Sequence, residues 1–166
     1  MAMRNVALFG AMVLLTFLQT VSAHGGEESE GLSNLQIMLT SLSVCAVFFI
    51  IYKKIPNLGT HPNEKITLTL VLYTGVVHVL LGMNDFIFLL GGFGVILIAI
   101  LPYFSNFAKA RKGLTQVMLG AAVITMFIAY FVSNHDLHYI AEDYLGITTK
   151  LAEVGIIGLM LKRYKE

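Results

Sequence analysis

The stretch at residues 66–104 reads ITLTLVLYTGVVHVLLG-MND-FIFLLGGFGVILIAILPYF. Two long apolar runs flank a three-residue polar turn, MND. Each run approaches the ~20 residues that cross a bilayer core as a helix. So short a turn joins only an antiparallel pair. This is a membrane hairpin, with His78 inside one apolar run and Asp85 just beyond it, both close to one membrane face.

The rest of the chain repeats the pattern. Hydrophobic residues make up 57% of the 166 positions and charged residues 13%, where a soluble domain carries about 25% charged. The charges gather in islands between apolar runs, as they must where hydrocarbon excludes them. The near-zero net charge hides this segregation. Cys45 is the one cysteine, so no intrachain disulfide forms. No glycine-rich phosphate loop, paired CxxC or basic nucleic-acid patch occurs, and no nucleic-acid partner is expected.

Residues 1–23 read as a secretory signal. Arg4 supplies the positive start, 6–18 the apolar core, and QTVSA at 19–23 a polar segment with small residues at the cleavage positions. Cleavage after Ala23 would leave His24 as the mature N-terminus; an uncut signal anchor is the alternative. A single transmembrane helical domain, 24–166, follows. Its spans are 35–52, 66–82, 86–104, 114–132 and 145–161, an all-α polytopic membrane helix bundle. The last run carries Lys150 and Glu153, and its alternative is a helix lying on the membrane surface.

Cytoplasmic loops hold the excess Lys and Arg. With His24 outside, Lys53, Lys54, Lys65, Lys109, Arg111, Lys112, Lys162, Arg163 and Lys165 fall on the cytoplasmic side. Glu27, Glu28, Glu30, Asp85, Asp136, Glu142 and Asp143 fall outside. One topology satisfies every island: a multi-pass protein of the cytoplasmic membrane with its mature N-terminus outside and its C-terminus in the cytoplasm. Glycines 91, 92, 94, 155 and 158 offer close helix approaches. Pro102 kinks or ends its helix. Tyr52, Tyr103 and Tyr144 stand where interface anchors belong.

In this topology the polar groups of the spans crowd the outer half, where the inner half offers His61 and Gln116. Asp85 reads as the N-cap of the third span. His78 reads as a neutral histidine bonded to a neighbouring helix, or as a functional group, since an ionisable residue in a span is a functional hypothesis by default. Lys150 and Glu153 are three apart and share a helix face. They read as an internal ion pair that lets the helix insert, with Lys150 snorkelling outward. The sharper reading is a buried carboxylate that contacts a partner subunit or serves a proton path.

A metal site is the most specific idea. The free amine and imidazole of His24 would chelate one ion, and neutral imidazole suits copper, zinc or nickel. His135 and His138 add imidazoles on one face if their loop is helical. The spacing is looser than a zinc signature.

The cleavage context SAHGGEE, with its N-terminal histidine, resembles the copper membrane monooxygenases for methane and ammonia, whose large extracytoplasmic subunit begins with a metal-binding histidine. The extended β-domains of that subunit and a carboxylate- and histidine-rich set of membrane ligands are missing here. TGVVHVLLG, FIFLLGGFGVILIAILPY and LAEVGIIGLML together look like a group of small archaeal four- or five-span membrane proteins of unassigned chemistry. The two resemblances imply an accessory subunit of an archaeal ammonia monooxygenase-like complex, with copper as the implied metal.

Three function classes follow. The first is a non-catalytic accessory subunit in contact with lipid and with other membrane subunits. The second is a copper or nickel handling or transport protein. The third is a membrane enzyme using His78 and Glu153.

Overall fold

The computed structural model describes residues 31–55, 58, 62–83, 85–134 and 137–165. The expected signal segment, His24, His61, His135 and Asp136 lie outside the described residues. Among the described residues there is no strand. Seven α-helices follow in order: α1 Asn34–Ile51, α2 Pro62–Leu81, α3 Phe86–Phe104, α4 Asn106–Ala110, α5 Lys112–Ser133, α6 Leu137–Glu142 and α7 Tyr144–Lys165. A 3-10 turn, Tyr52–Lys54, extends α1. Five of the helices (α1, α2, α3, α5 and α7) are long and apolar enough to cross a membrane. The chain is a multi-pass membrane protein.

Local chemistry starts these helices. Ser33 and Gln36 form a capping box at α1: the Ser33 hydroxyl accepts from the Gln36 amide at 3.3 Å, and the Gln36 side chain accepts from the Ser33 amide at 2.9 Å. Asp85 caps α3 by accepting from the Ile87 amide at 2.9 Å. The basic loop at 53–65 carries two prolines, Pro56 and Pro62, and proline ordinarily stops a helix. Its second proline, Pro62, does not stop a helix but begins α2, four residues before the anticipated start at 66. Proline is well tolerated at the first helical position, and Glu64 in the first turn complements the helix dipole. The two connections beyond α3 and α5, which apolar patterning treats as loops, also hold short helices, α4 and α6.

Helix α2 is the hub and packs against α1, α3 and α7. Helices α3 and α5 pack together, as do α5 and α7, which closes a ring of α2, α3, α5 and α7 with α1 outside it against α2. Short connections make neighbours in the ring antiparallel, an up-down bundle. Lys53, Lys54, Lys65, Lys109, Arg111 and Lys112 therefore gather at one end, called the basic end here. Asp85, Glu142 and Asp143 gather at the other, the acidic end.

The ring is filled by Val71, Val95, Val123 and Ile156, none more than 2% exposed. Helices α2 and α3 touch almost backbone to backbone. A Cβ on Gly92 would stand 2.6 Å from the Gly75 carbonyl oxygen and 2.7 Å from the Val79 amide nitrogen. Of the glycines expected to serve close packing, Gly92 does so, whereas Gly91, Gly94 and Gly158 face open space. Tyr52, expected as an interface anchor, is instead a core residue at 4% exposure, edge-on to Phe48. The outward face of α3 carries Phe86, Leu90, Phe93, Leu97, Leu101 and Phe104, all exposed and three or four apart. Such a stripe is stable only against hydrocarbon or another apolar surface.

Candidate functional site

Helix α7 brings two charges into the bundle where lipid cannot reach them. Glu153 is 0% exposed and Lys150 7%. Their spacing of three places both on one face, and the Lys150 ammonium donates to both Glu153 oxygens, at 2.9 and 2.8 Å. Its third hydrogen goes to the Met126 carbonyl of α5 at 3.0 Å. An ammonium has three donors, and here each has an acceptor. The snorkelling expected of Lys150 does not occur. A carboxylate and a carbonyl lie within hydrogen-bond reach inside the bundle, and the side chain turns inward to them.

Helix α2 supplies the other wall. The Thr74 hydroxyl, itself 0% exposed, donates to Glu153 Oε1 at 3.1 Å. One turn later, His78 Nδ1 lies 2.8 Å from the Thr74 carbonyl oxygen. A carbonyl only accepts, so Nδ1 carries the hydrogen of this bond. Phe88 of α3 packs against this ring with centroids 5.7 Å apart. Thr74 thus joins His78 and Glu153, one through its carbonyl and one through its hydroxyl. Within this chain, Glu153 makes its contact across helices to α2.

Toward the acidic end Tyr130 of α5 completes the cluster. Its ring centre lies 5.2 Å from the Lys150 ammonium, within cation–π range. Its hydroxyl donates to Asp143 at 2.9 Å, and the other Asp143 oxygen accepts from the Gly146 amide at 2.9 Å. One carboxylate therefore ties the end of α5 to the first turn of α7. A Cβ at Gly146 would collide with the Asp143 carboxylate and the Tyr130 ring, so this bridge would have to shift to admit one. Tyr73 and Thr148 make a further bridge between α2 and α7 at 3.0 Å. Among the described residues, every buried side-chain nitrogen and oxygen has a hydrogen-bond partner.

The remaining candidates stand apart from this cluster. Asp85 is exposed and occupied as a cap. His138 lies on α6, where its Nε2 is 3.2 Å from Glu142 Oε1 with both side chains largely exposed. His24 and His135, its expected companions at a metal, are outside the described residues. Among the described residues no three of His, Cys, Asp and Glu converge as metal ligands.

Sequence reasoning overlooked a second charge pair. Glu64, at 8% exposure, is drawn into the basic end of the ring and meets Lys112 of α5 at 3.0 Å. Apolar periodicity starts only at Ile66 and so leaves Glu64 in a loop. The signal that would have placed it on a helix is Pro62 at the first helical position with an acid two residues on. Beside this pair lies a cavity of about 170 Å³ between the four ring helices. Thr74 and Tyr130 were also missed, since a threonine or tyrosine in an apolar run has no marker of its partner. Comparison with protein-family models, with curated proteins and with solved structures finds nothing that matches this chain.

Proposed function

We propose that this chain is a non-catalytic accessory subunit of a larger complex in the cytoplasmic membrane. In this reading the mature N-terminus is outside and the C-terminus cytoplasmic, and the complex is of the ammonia or methane monooxygenase kind. The observation that carries the accessory role is the closure of the Lys150–Glu153 cluster. Glu153 is fully enclosed and held by Lys150 and Thr74. A catalytic carboxylate has to meet substrate, whereas this one is occupied in joining α2 and α7. The connections between the long helices are too short to carry a soluble catalytic domain. The apolar stripe of α3 offers the kind of face that packs against other membrane helices as readily as against lipid. The orientation rests on the basic end, since Lys and Arg concentrate in cytoplasmic loops.

The test is purification of the native assembly in mild detergent, with intact mass and bound metals read together. A mass starting at His24, migrating with other membrane subunits, is the expected result. Copper that falls when His24 is blocked would move a metal site onto this chain and favour the metal-handling role. A lone, metal-free oligomer starting at Met1 would overturn the accessory reading.

One observation favours a second reading. Thr74 links His78 and Glu153 into a single intramembrane cluster, the arrangement an enzyme or proton relay in the bilayer would use. His78→Ala and Glu153→Gln separate the two readings. Loss of the activity of the assembly with normal assembly favours the enzyme; dissociation from partners favours the subunit.

A further inference from the structure

The cavity at the basic end has a chemistry of its own. About 170 Å³ is close to the ~150 Å³ void that accepts one benzene-sized molecule. Its floor is apolar, with Leu68, Ala99 and Leu119 from α2, α3 and α5. Its polar lining includes Glu64, Lys112, Thr67 and Gln116.

The two charges at the cavity are not equivalent. The Glu64 side chain is 9% exposed and held in the first turn of α2, whereas that of Lys112 is 44% exposed. Lys112 opens α5, where the helix dipole disfavours a cation. The half-exposed Lys112 ammonium can swing on its flexible stem into water. Glu64 has no such exit, so the fixed charge of the cavity is negative.

The neighbouring groups match that sign. The Thr67 and Thr115 hydroxyls, both in the lining, donate to the carbonyls of Asn63 and Lys112, at 2.7 and 2.9 Å. Each hydroxyl thus turns its oxygen lone pairs toward any further donor. Pro102 of α3 has no amide hydrogen to give the carbonyl of Ile98, another lining residue.

We propose that this cavity binds a small amphiphile with an apolar body of six to ten atoms, roughly, and a primary ammonium head that replaces the Lys112 ammonium at Glu64. The apolar body displaces weakly held water from the floor, and the head keeps Glu64 neutralised while Lys112 swings to solvent. This inference is independent of the accessory-subunit reading.

The experiment is equilibrium binding to the full chain in detergent of three probes that share one ring: benzylammonium, benzyl alcohol and benzoate. The pH is set so that the amine is protonated and Glu64 ionised. Benzylammonium is expected to bind at least about tenfold more tightly than the other two. Glu64→Gln should bring it to the level of the alcohol. Lys112→Met, which removes the competing ammonium at a half-exposed position, should tighten it several-fold. Ala99→Leu, which fills the floor, should abolish binding of all three probes. Equal binding of alcohol and ammonium, tighter binding of benzoate, or an affinity unmoved by Lys112→Met would overturn the proposal. So would binding that survives Ala99→Leu, which marks partition into the micelle.

Discussion

Lys150 and Glu153 sit three apart on one helix, both buried, with every ammonium hydrogen taken up. Glu64 and Lys112 are 48 positions apart, on diagonal helices of the ring, with the lysine half in solvent and a cavity alongside. The first pair is a structural fixture. The second holds its lysine half in solvent. The same two functional groups take opposite roles because burial decides what breaking them costs: a charge left alone in the bundle cannot reach water, and one at the rim can.

The largest effect should come from breaking the enclosed pair on one side. Glu153→Ala leaves Lys150 buried without its carboxylate and should destabilise the folded bundle by about 3–5 kcal/mol. Denaturant unfolding in mixed micelles measures it. The double variant Lys150→Met with Glu153→Leu removes both charges and should be neutral or more stable than the parent. A double variant as unstable as Glu153→Ala would show that the pair carries no compensation and would break the comparison.

A smaller effect belongs to Thr74. Thr74→Val keeps the shape and deletes the hydroxyl that donates to Glu153, at an expected cost of about 1.5–3 kcal/mol for a hydrogen bond to a charged group. The same assay reads it. The loss should vanish in the background of the charge-free double variant, where the acceptor is gone; persistence there would assign the effect to packing.

The smallest effect should be at the basic end. Lys112→Met is expected to cost about 1–2 kcal/mol, more than an exposed pair because Glu64 stays largely buried, and less than Glu153→Ala because the cavity beside Glu64 has room for water. A loss as large as that of Glu153→Ala would make the two pairs alike, and would remove the ground for treating Lys112 as displaceable.

The two pairs also differ in how far they could be read in advance. That Lys150 and Glu153 share a face follows from helix geometry alone, as does Asp85 capping α3. Both depend on residues within one turn. That Lys150 turns inward does not follow, because the acceptor that draws it is a carbonyl of another helix, 24 positions away. Glu64 was hidden for a related reason. Its own helix start is local and legible in Pro62, but its burial depends on Lys112 and on the closure of the ring. The close approach at Gly92 was anticipated only as one of several glycines in the same span. What singles it out is Gly75 across the interface.

The amino-acid sequence by itself determined the all-helical architecture and the five membrane-length helices. Hydrocarbon imposes a rule on each segment separately: about twenty apolar residues, polar groups at the ends, backbone bonds kept inside the helix. Composition obeys such a rule visibly. The tertiary structure alone decided that α2 is the hub, that Thr74 meets Glu153 across 79 positions, and that a cavity opens beside Glu64. The physical reason is that all five helices are apolar on most of their surface. In lipid no hydrophobic force ranks one apolar face above another. Neighbours are chosen by the fit of glycines, the reach of a few hydroxyls and the pairing of buried charges, and these become visible only once the helices are side by side.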